Sequence, residues 1–257
     1  MENHRCRGCV GAEIRSRSQT SSVTWLPSAV AGSVKPYSGH PYSGVYKSLN
    51  LEPGDILCRV WDRESGNAHG FDGTSWNPNL KPPADATAGR FDPLPPSTGT
   101  NGYLYGSQSG GGERVALLET FRSLMSRSPR DGRNVIRREE RNRRSIRRFE
   151  VIDPVELINV NTQAGRECFR MDEEVLYVHD REATRTWAHA IKDAVTAGGI
   201  AYNSTRESIH VGCHSFILWQ DRVSSQGFNV REDIRLDTPE GRKLVDEALG
   251  DYQIFWA

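Results

Sequence analysis

Apolar positions along the chain fall into short patterned runs separated by long stretches that keep no period. The first run is DILCRVW, residues 55–61. Ile56, Cys58 and Val60 alternate with Leu57, Arg59 and Trp61, and a period of two predicts a strand. GYLYGS (102–107) is a short aromatic strand with Tyr103 and Tyr105 on one face and Leu104 on the other. The period then changes. In ERVALLETFRSLM (113–125), Val115, Leu118, Phe121 and Met125 mark a helical face. FEVIDPVELINV (149–160) is strand material broken by Pro154. REATRTWAHAIKDAVTAGG (181–199) aligns Trp187, Ile191 and Val195, and Gly198–Gly199 mark its stop. Strand-like residues 200–202 and SFILWQD (215–221) follow. LDTPEGRKLVDEALG (236–250) carries Asp237 or Thr238 as a cap, Pro239 in the first turn and Gly250 past the end.

This order predicts an α+β (mixed α/β) fold, a single domain of about 200 residues with a mixed sheet and flanking helices. Residues 1–50 are rich in Ser, Gly, Arg and Pro and read as a loosely packed extension. The patterned domain spans 51–222, with an arginine-rich insertion at about 127–148. A C-terminal strand and helix occupy 223–257. Residues 62–101 hold clustered Asn, Gly, Pro and Asp and read as a long loop, a form often tied to function.

Charge adds one local feature. Basic and acidic residues balance at 33 each over 257 residues, so the whole molecule favours no polyanion. The block RSPRDGRNVIRREERNRRSIRR (127–148) concentrates arginine. It suits a polyanion or an acidic protein surface, yet it lacks aromatic residues for base stacking, which counts against nucleic acid. A solvated charged helix or loop is the plain alternative. No apolar run reaches the length of about 18 residues needed for a membrane span, and the N-terminal stretch lacks the apolar core of a secretory signal. Five scattered cysteines fit a reducing cytoplasm. CRGC with His4 offers half of a zinc ligand set, so no metal is expected. Cys213 beside His210 and His214 reads as a buried thiol.

Five residues carry candidate chemistry. Glu119, in ALLETF, is either a solvated helix residue or a carboxylate beside a ligand entering over SGGGE. Arg90, in AGRFDP, offers a planar fork for phosphate or carboxylate, or is a plain surface arginine. Arg59 interrupts an apolar strand, so it needs an anionic partner or an edge position in water. Tyr103 and Tyr105 serve the core or cover a planar heterocycle. The glycine loop before Glu119 matches neither dinucleotide fingerprint nor P-loop.

The order of these pieces resembles the RES domain family. The family arginine falls on Arg90, in Arg90-Phe91-Asp92 where Arg-Trp-Asn is usual. Its tyrosine falls on Leu104-Tyr105 and its glutamate on Ala116-Leu117-Leu118-Glu119. Its serine falls on Gly199-Ile200-Ala201-Tyr202-Asn203-Ser204-Thr205-Arg206, the most specific match. The likeness covers about 55–222. The chain departs from the family pattern in Phe91, in a longer link from Tyr105 to Glu119, in the arginine block and in its first fifty residues. The resemblance implies an ADP-ribosyltransferase-like fold and a NAD-consuming toxin paired with an Xre-type antitoxin, NAD being substrate with no separate cofactor. Glu119, Arg90 and Ser204 would be catalytic. Arg59, Tyr103, Tyr105 and Arg206 would bind the dinucleotide. Transfer of ADP-ribose to a macromolecule and non-catalytic nucleic-acid binding by the arginine block are the alternatives. A homo-oligomer is left open.

Overall fold

Two chain properties shape the architecture: strands buried on both faces, and helices with one apolar stripe. The computed structural model describes residues 46–64, 89–92, 103–108, 111–121, 124, 126–128, 134–177, 180–204, 214–252 and 254–256. Every described residue belongs to the compact unit Ser33–Ala257.

The main sheet holds β1 (Ser48–Leu51), β2 (Ile56–Asp62), β3 (Tyr103–Gln108), β6 (Arg144–Val151), β7 (Val155–Asn159), β8 (Gly199–Asn203), β9 (His214–Trp219) and β10 (Phe228–Arg235). A small second sheet joins β4 (Ser126–Arg127), β5 (Asn134–Ile136) and β11 (Ile254–Trp256). The helices are α1 (Gly112–Phe121), α2 (Arg138–Asn142), α3 (Gln163–Glu167), α4 (Arg181–Ala194) and α5 (Pro239–Leu249). The fold is α+β, as the periodicity predicts.

Strand order in the main sheet is β1-β7-β8-β9-β3-β2-β6-β10. Among the described residues only β7 and β8 run parallel within it, and the crossover between them carries α3 and α4, because parallel neighbours need a long connection. One core cluster lies under α4 and joins Trp187, Ile191, Ile200, Ile217 and Trp219. A second lies under α1 and α5 and joins Cys58, Leu117, Phe121, Ile146, Val245 and Leu249. The third contains Leu51, Leu57, Phe149, Leu157, Phe216 and Leu218 and no helical residue. The sheet curls so that this face packs against itself.

The curl coincides with a weak joint. β3 pairs with β9 along five positions, Tyr103 to Ser107. It pairs with β2 at two only, Leu57 with Gln108 and Cys58 with Ser107. Beyond Cys58 the β2 strand continues along β6 alone. The sheet therefore splits between β2 and β3, with Arg59 at the first position past the joint.

Several local expectations change. Helix α4 ends at Ala194, and Val195 is already extended. Gly198 and Gly199 do not stop the helix. A Cβ on Gly199 would lie 2.0 Å from the Ile217 carbonyl oxygen, and one on Gly198 would lie 2.6 Å from Val155 Cγ1. These glycines let β8 approach its neighbours. Arg222 meets the end of α4 instead, donating to the Val195 and Lys192 carbonyls at 2.6 and 3.2 Å. The last three residues of the expected N-terminal extension, 48–50, form β1 with Leu51 against β7. The arginine block is not a solvated helix or loop throughout: Arg144–Arg148 open β6, a strand between β2 and β10. In α5, Thr238 is the cap, accepting from the Gly241 N–H at 3.1 Å, and Gly250 stays right-handed. Among the described residues no helix is long and apolar enough to cross a membrane.

Candidate functional site

Helix α1 starts just beyond the β2–β3 joint. Gly112 fits there because a Cβ would sit 3.0 Å from the Ser107 carbonyl oxygen. Val115, Ala116, Leu117, Leu118 and Phe121 are buried, which locks the helix against the sheet. Glu119 is its half-buried carboxylate. Strand β8 is buried from Gly199 to Tyr202, and the chain leaves it through exposed Asn203 into buried Ser204.

Glu119 and Ser204 meet. The Ser204 hydroxyl donates to Glu119 Oε1 at 2.5 Å.

Arg90 lies in a tight turn, and its neighbours anchor it. The Gly89 N–H donates to the Asp92 carboxylate at 2.7 Å, and Arg185 Nε donates to the Asp92 carbonyl at 3.1 Å. Phe91 is fully buried and its ring lies 4.8 Å from that of Tyr202, tilted by 58°. Tyr202 joins the turn to the carboxylate. Burial pushes its phenol well above the ordinary tyrosine value, the charges of Glu119 and Asp92 push further the same way, and that of Arg90 opposes them. Arg90, Asp92 and Glu119 therefore act electrostatically on one buried ring.

The other expected site residues are placed differently. Arg59 is half-buried and directly opposite Arg147. Strand alternation puts it on the face of Leu57 and Trp61, whereas Cys58 points beneath α1. Arg59 thus lines the split from the face away from Glu119. The backbones of Tyr103 and Tyr105 lie in β3 opposite Trp219 and Ile217. Their side chains, and the whole of Arg206, lie outside the described residues.

Sequence reasoning left Arg185, Asp92 and Tyr202 without a role. Arg185 is a fully buried cation in an otherwise amphipathic helix. Asp92 occupies the third place of the Arg90 motif, and its signal is the turn it closes by bonding back three residues. Among the described residues no group of His, Cys, Asp and Glu could hold a metal ion. A cavity of about 280 Å³ lined by Asp153, Glu156, Gly198 and Arg222 sits at the opposite end of β8 from Ser204.

No family model matches the sequence, and neither does any curated protein. Among solved structures, a chain of the M. tuberculosis MbcT–MbcA toxin–antitoxin complex is similar at 11% identity and a TM-score of 0.46, over 76% of this chain and 91% of that one.

Proposed function

We propose that the chain cleaves the nicotinamide–ribose bond of NAD. The observation that supports this most directly is the Glu119–Ser204 contact at 2.5 Å, a carboxylate and a hydroxyl side by side.

The chemistry needs little acid assistance. Nicotinamide in NAD is a cationic leaving group, so as its bond to the ribose carbon breaks, the ring nitrogen takes the electron pair and departs neutral. Positive charge grows on the ribose, which becomes oxocarbenium-like. A carboxylate beside it lowers the barrier electrostatically. Glu119 fills that role. Ser204 is neutral and small. It fixes the plane of the Glu119 carboxylate and orients the ribose, a contribution of positioning. Arg90 suits the pyrophosphate, and Arg59, which lies on the other face of the sheet, would reach it only through the split. Tyr103 and Tyr105 would cover the nicotinamide or its ribose, and Arg206 would add a phosphate contact. Water or inorganic phosphate accepts the ADP-ribose, and a hydroxyl attacking as acceptor releases its proton to solvent.

A toxin role and an Xre-type antitoxin partner belong to the same proposal and rest on the motif order Arg90, Tyr105, Glu119, Ser204. The test is release of free nicotinamide from NAD by the purified chain, with and without phosphate. Wild-type protein is expected to release it and Glu119→Gln to lose about 10²–10³-fold in kcat. NAD left intact in both buffers sinks the proposal. ADP-ribose found attached to a macromolecule would instead select the transferase reading.

A further inference from the structure

The turn after β7 has no part in the chemistry above, yet it reaches the strand end that carries Ser204. Asn161 Oδ1 accepts a short bond from the Asn203 backbone N–H. Asn161 Nδ2 lies 3.1 Å from His214 Nδ1. Asn203 and His214 are the last opposed pair of β8 and β9. One carboxamide therefore bridges the ends of both strands, one residue before Ser204.

The polarity of the bridge is fixed by elementary chemistry. A backbone N–H can only donate, so the Asn161 oxygen must face Asn203. Its NH₂ must then face His214 and donate, which makes Nδ1 the acceptor and puts the ring proton on Nε2. The turn that presents Asn161 is itself held. Its N–H donates to Asn159 Oδ1 at 3.1 Å, and its carbonyl accepts from the buried Arg166 at 2.8 Å. Arg166 also binds the Val160 carbonyl at 3.0 Å and Glu173 at 3.1 Å. Thr162 Oγ1 donates to the Asn159 carbonyl at 3.1 Å and accepts from the Gly165 N–H at 3.0 Å. No side chain fits at Gly165, where a Cβ would lie 1.8 Å from the Asn159 oxygen.

We infer that Asn161 is a positioning residue: its carboxamide clasps the ends of β8 and β9 and so holds Ser204 against Glu119. For catalysis this inference rests on the proposed NAD cleavage; the clasp itself does not.

Two measurements on the full chain separate these layers. Hydrogen exchange at the Asn203 amide reads the clasp, and steady-state NAD cleavage reads its consequence. Asn161→Ala is expected to speed Asn203 exchange and to lower kcat by on the order of tenfold to a hundredfold, with KM changed far less. Asn161→Asp keeps an acceptor for Asn203 and is expected to retain most of the protection and of kcat. Should Asn161→Ala fail to fold, Asn161→Asp and His214→Ala carry the test. His214→Ala leaves the acceptor and is expected to lose less than Asn161→Ala. Unchanged Asn203 exchange in Asn161→Ala overturns the clasp, and faster exchange with wild-type kcat overturns its role for Ser204. If wild-type protein leaves NAD intact, the function proposal fails, and the exchange data still decide the clasp.

Discussion

A hydrogen bond between residues 85 positions apart turns two weak candidates into one feature. Taken singly, Glu119 is a polar residue on a helix and Ser204 a polar residue after a strand. Their contact excludes the solvated-helix reading of Glu119, since a carboxylate bound to a buried serine faces inward. His214 extends the same logic to protons. Burial pushes its imidazole below the ordinary value of 6.5, and protonation would aim a second N–H at the Asn161 NH₂. The folded state thus binds fewer protons than the unfolded chain between the lowered folded value and 6.5. Stability is then complete above pH 6.5 and declines as pH falls through that window. Denaturant unfolding across pH 5 to 7 is expected to show this slope in wild type and a flatter one in His214→Gln. Equal slopes would mean that His214 is not held neutral by the fold.

At the level of elements, the glycines before β8 show how a correct residue can carry an incorrect reason. A helix followed by Gly-Gly is a sound stop signal, and the helix does end nearby. What requires glycine is nevertheless a non-local contact with the Ile217 backbone, which no local pattern reveals. Gly199→Ala is expected to destabilise by about 3 kcal/mol, at the upper end for overpacking, because the atom it meets belongs to a paired strand and cannot swing away. A thermal or urea melt indistinguishable from wild type would remove that explanation. The arginine block teaches the same lesson with charge. Its cations were legible as a cluster, but most of their partners lie outside it, several of them on flanking strands. Arg144 is opposed to Asp62, Arg147 to Asp233 and Arg148 to Glu232. Arg147 reaches Asp233 at 2.7 Å, Arg148 reaches Glu232 at 2.6 Å and Glu113 at 2.9 Å, and Arg144 reaches Glu140 at 2.8 Å. Arg143 also binds Asp62. Such cross-strand pairs set register and leave these arginines engaged within the protein, which weakens a nucleic-acid role for the block. The period-two and helical runs were legible because each buries a face of its own. β1 and β5 were not, since four residues with one buried position and a strand of three keep no alternation to read.

For the molecule as a whole, the decisive feature is the joint between β2 and β3. Two half-sheets, β1-β7-β8-β9-β3 and β2-β6-β10, meet through two opposed pairs of residues. Arg59 is carried by one half and Ser204 by the other, while α1 brings Glu119 beneath the joint. A dinucleotide contacting both halves would tie them together, so its binding should register as global stability. Wild-type protein would consume the ligand, which makes Glu119→Gln the proper host for the measurement. With NAD at a hundred times its Kd, that variant is expected to gain about 2.7 kcal/mol. For a domain of this size the gain corresponds to a rise in Tm of about 5–10 °C. Adding Arg90→Ala should remove most of the shift, because it loses a phosphate contact without touching the carboxylate, and Arg59→Ala should remove less, since Arg59 reaches the ligand only through the split. A shift that survives both changes would place the ligand elsewhere, with the cavity beside Arg222 the first place to look. No shift at NAD concentrations on the order of 1 mM, the upper end of ordinary KM values, would mean that the split sheet is not a dinucleotide cleft and that the Glu119–Ser204 pair serves the fold alone.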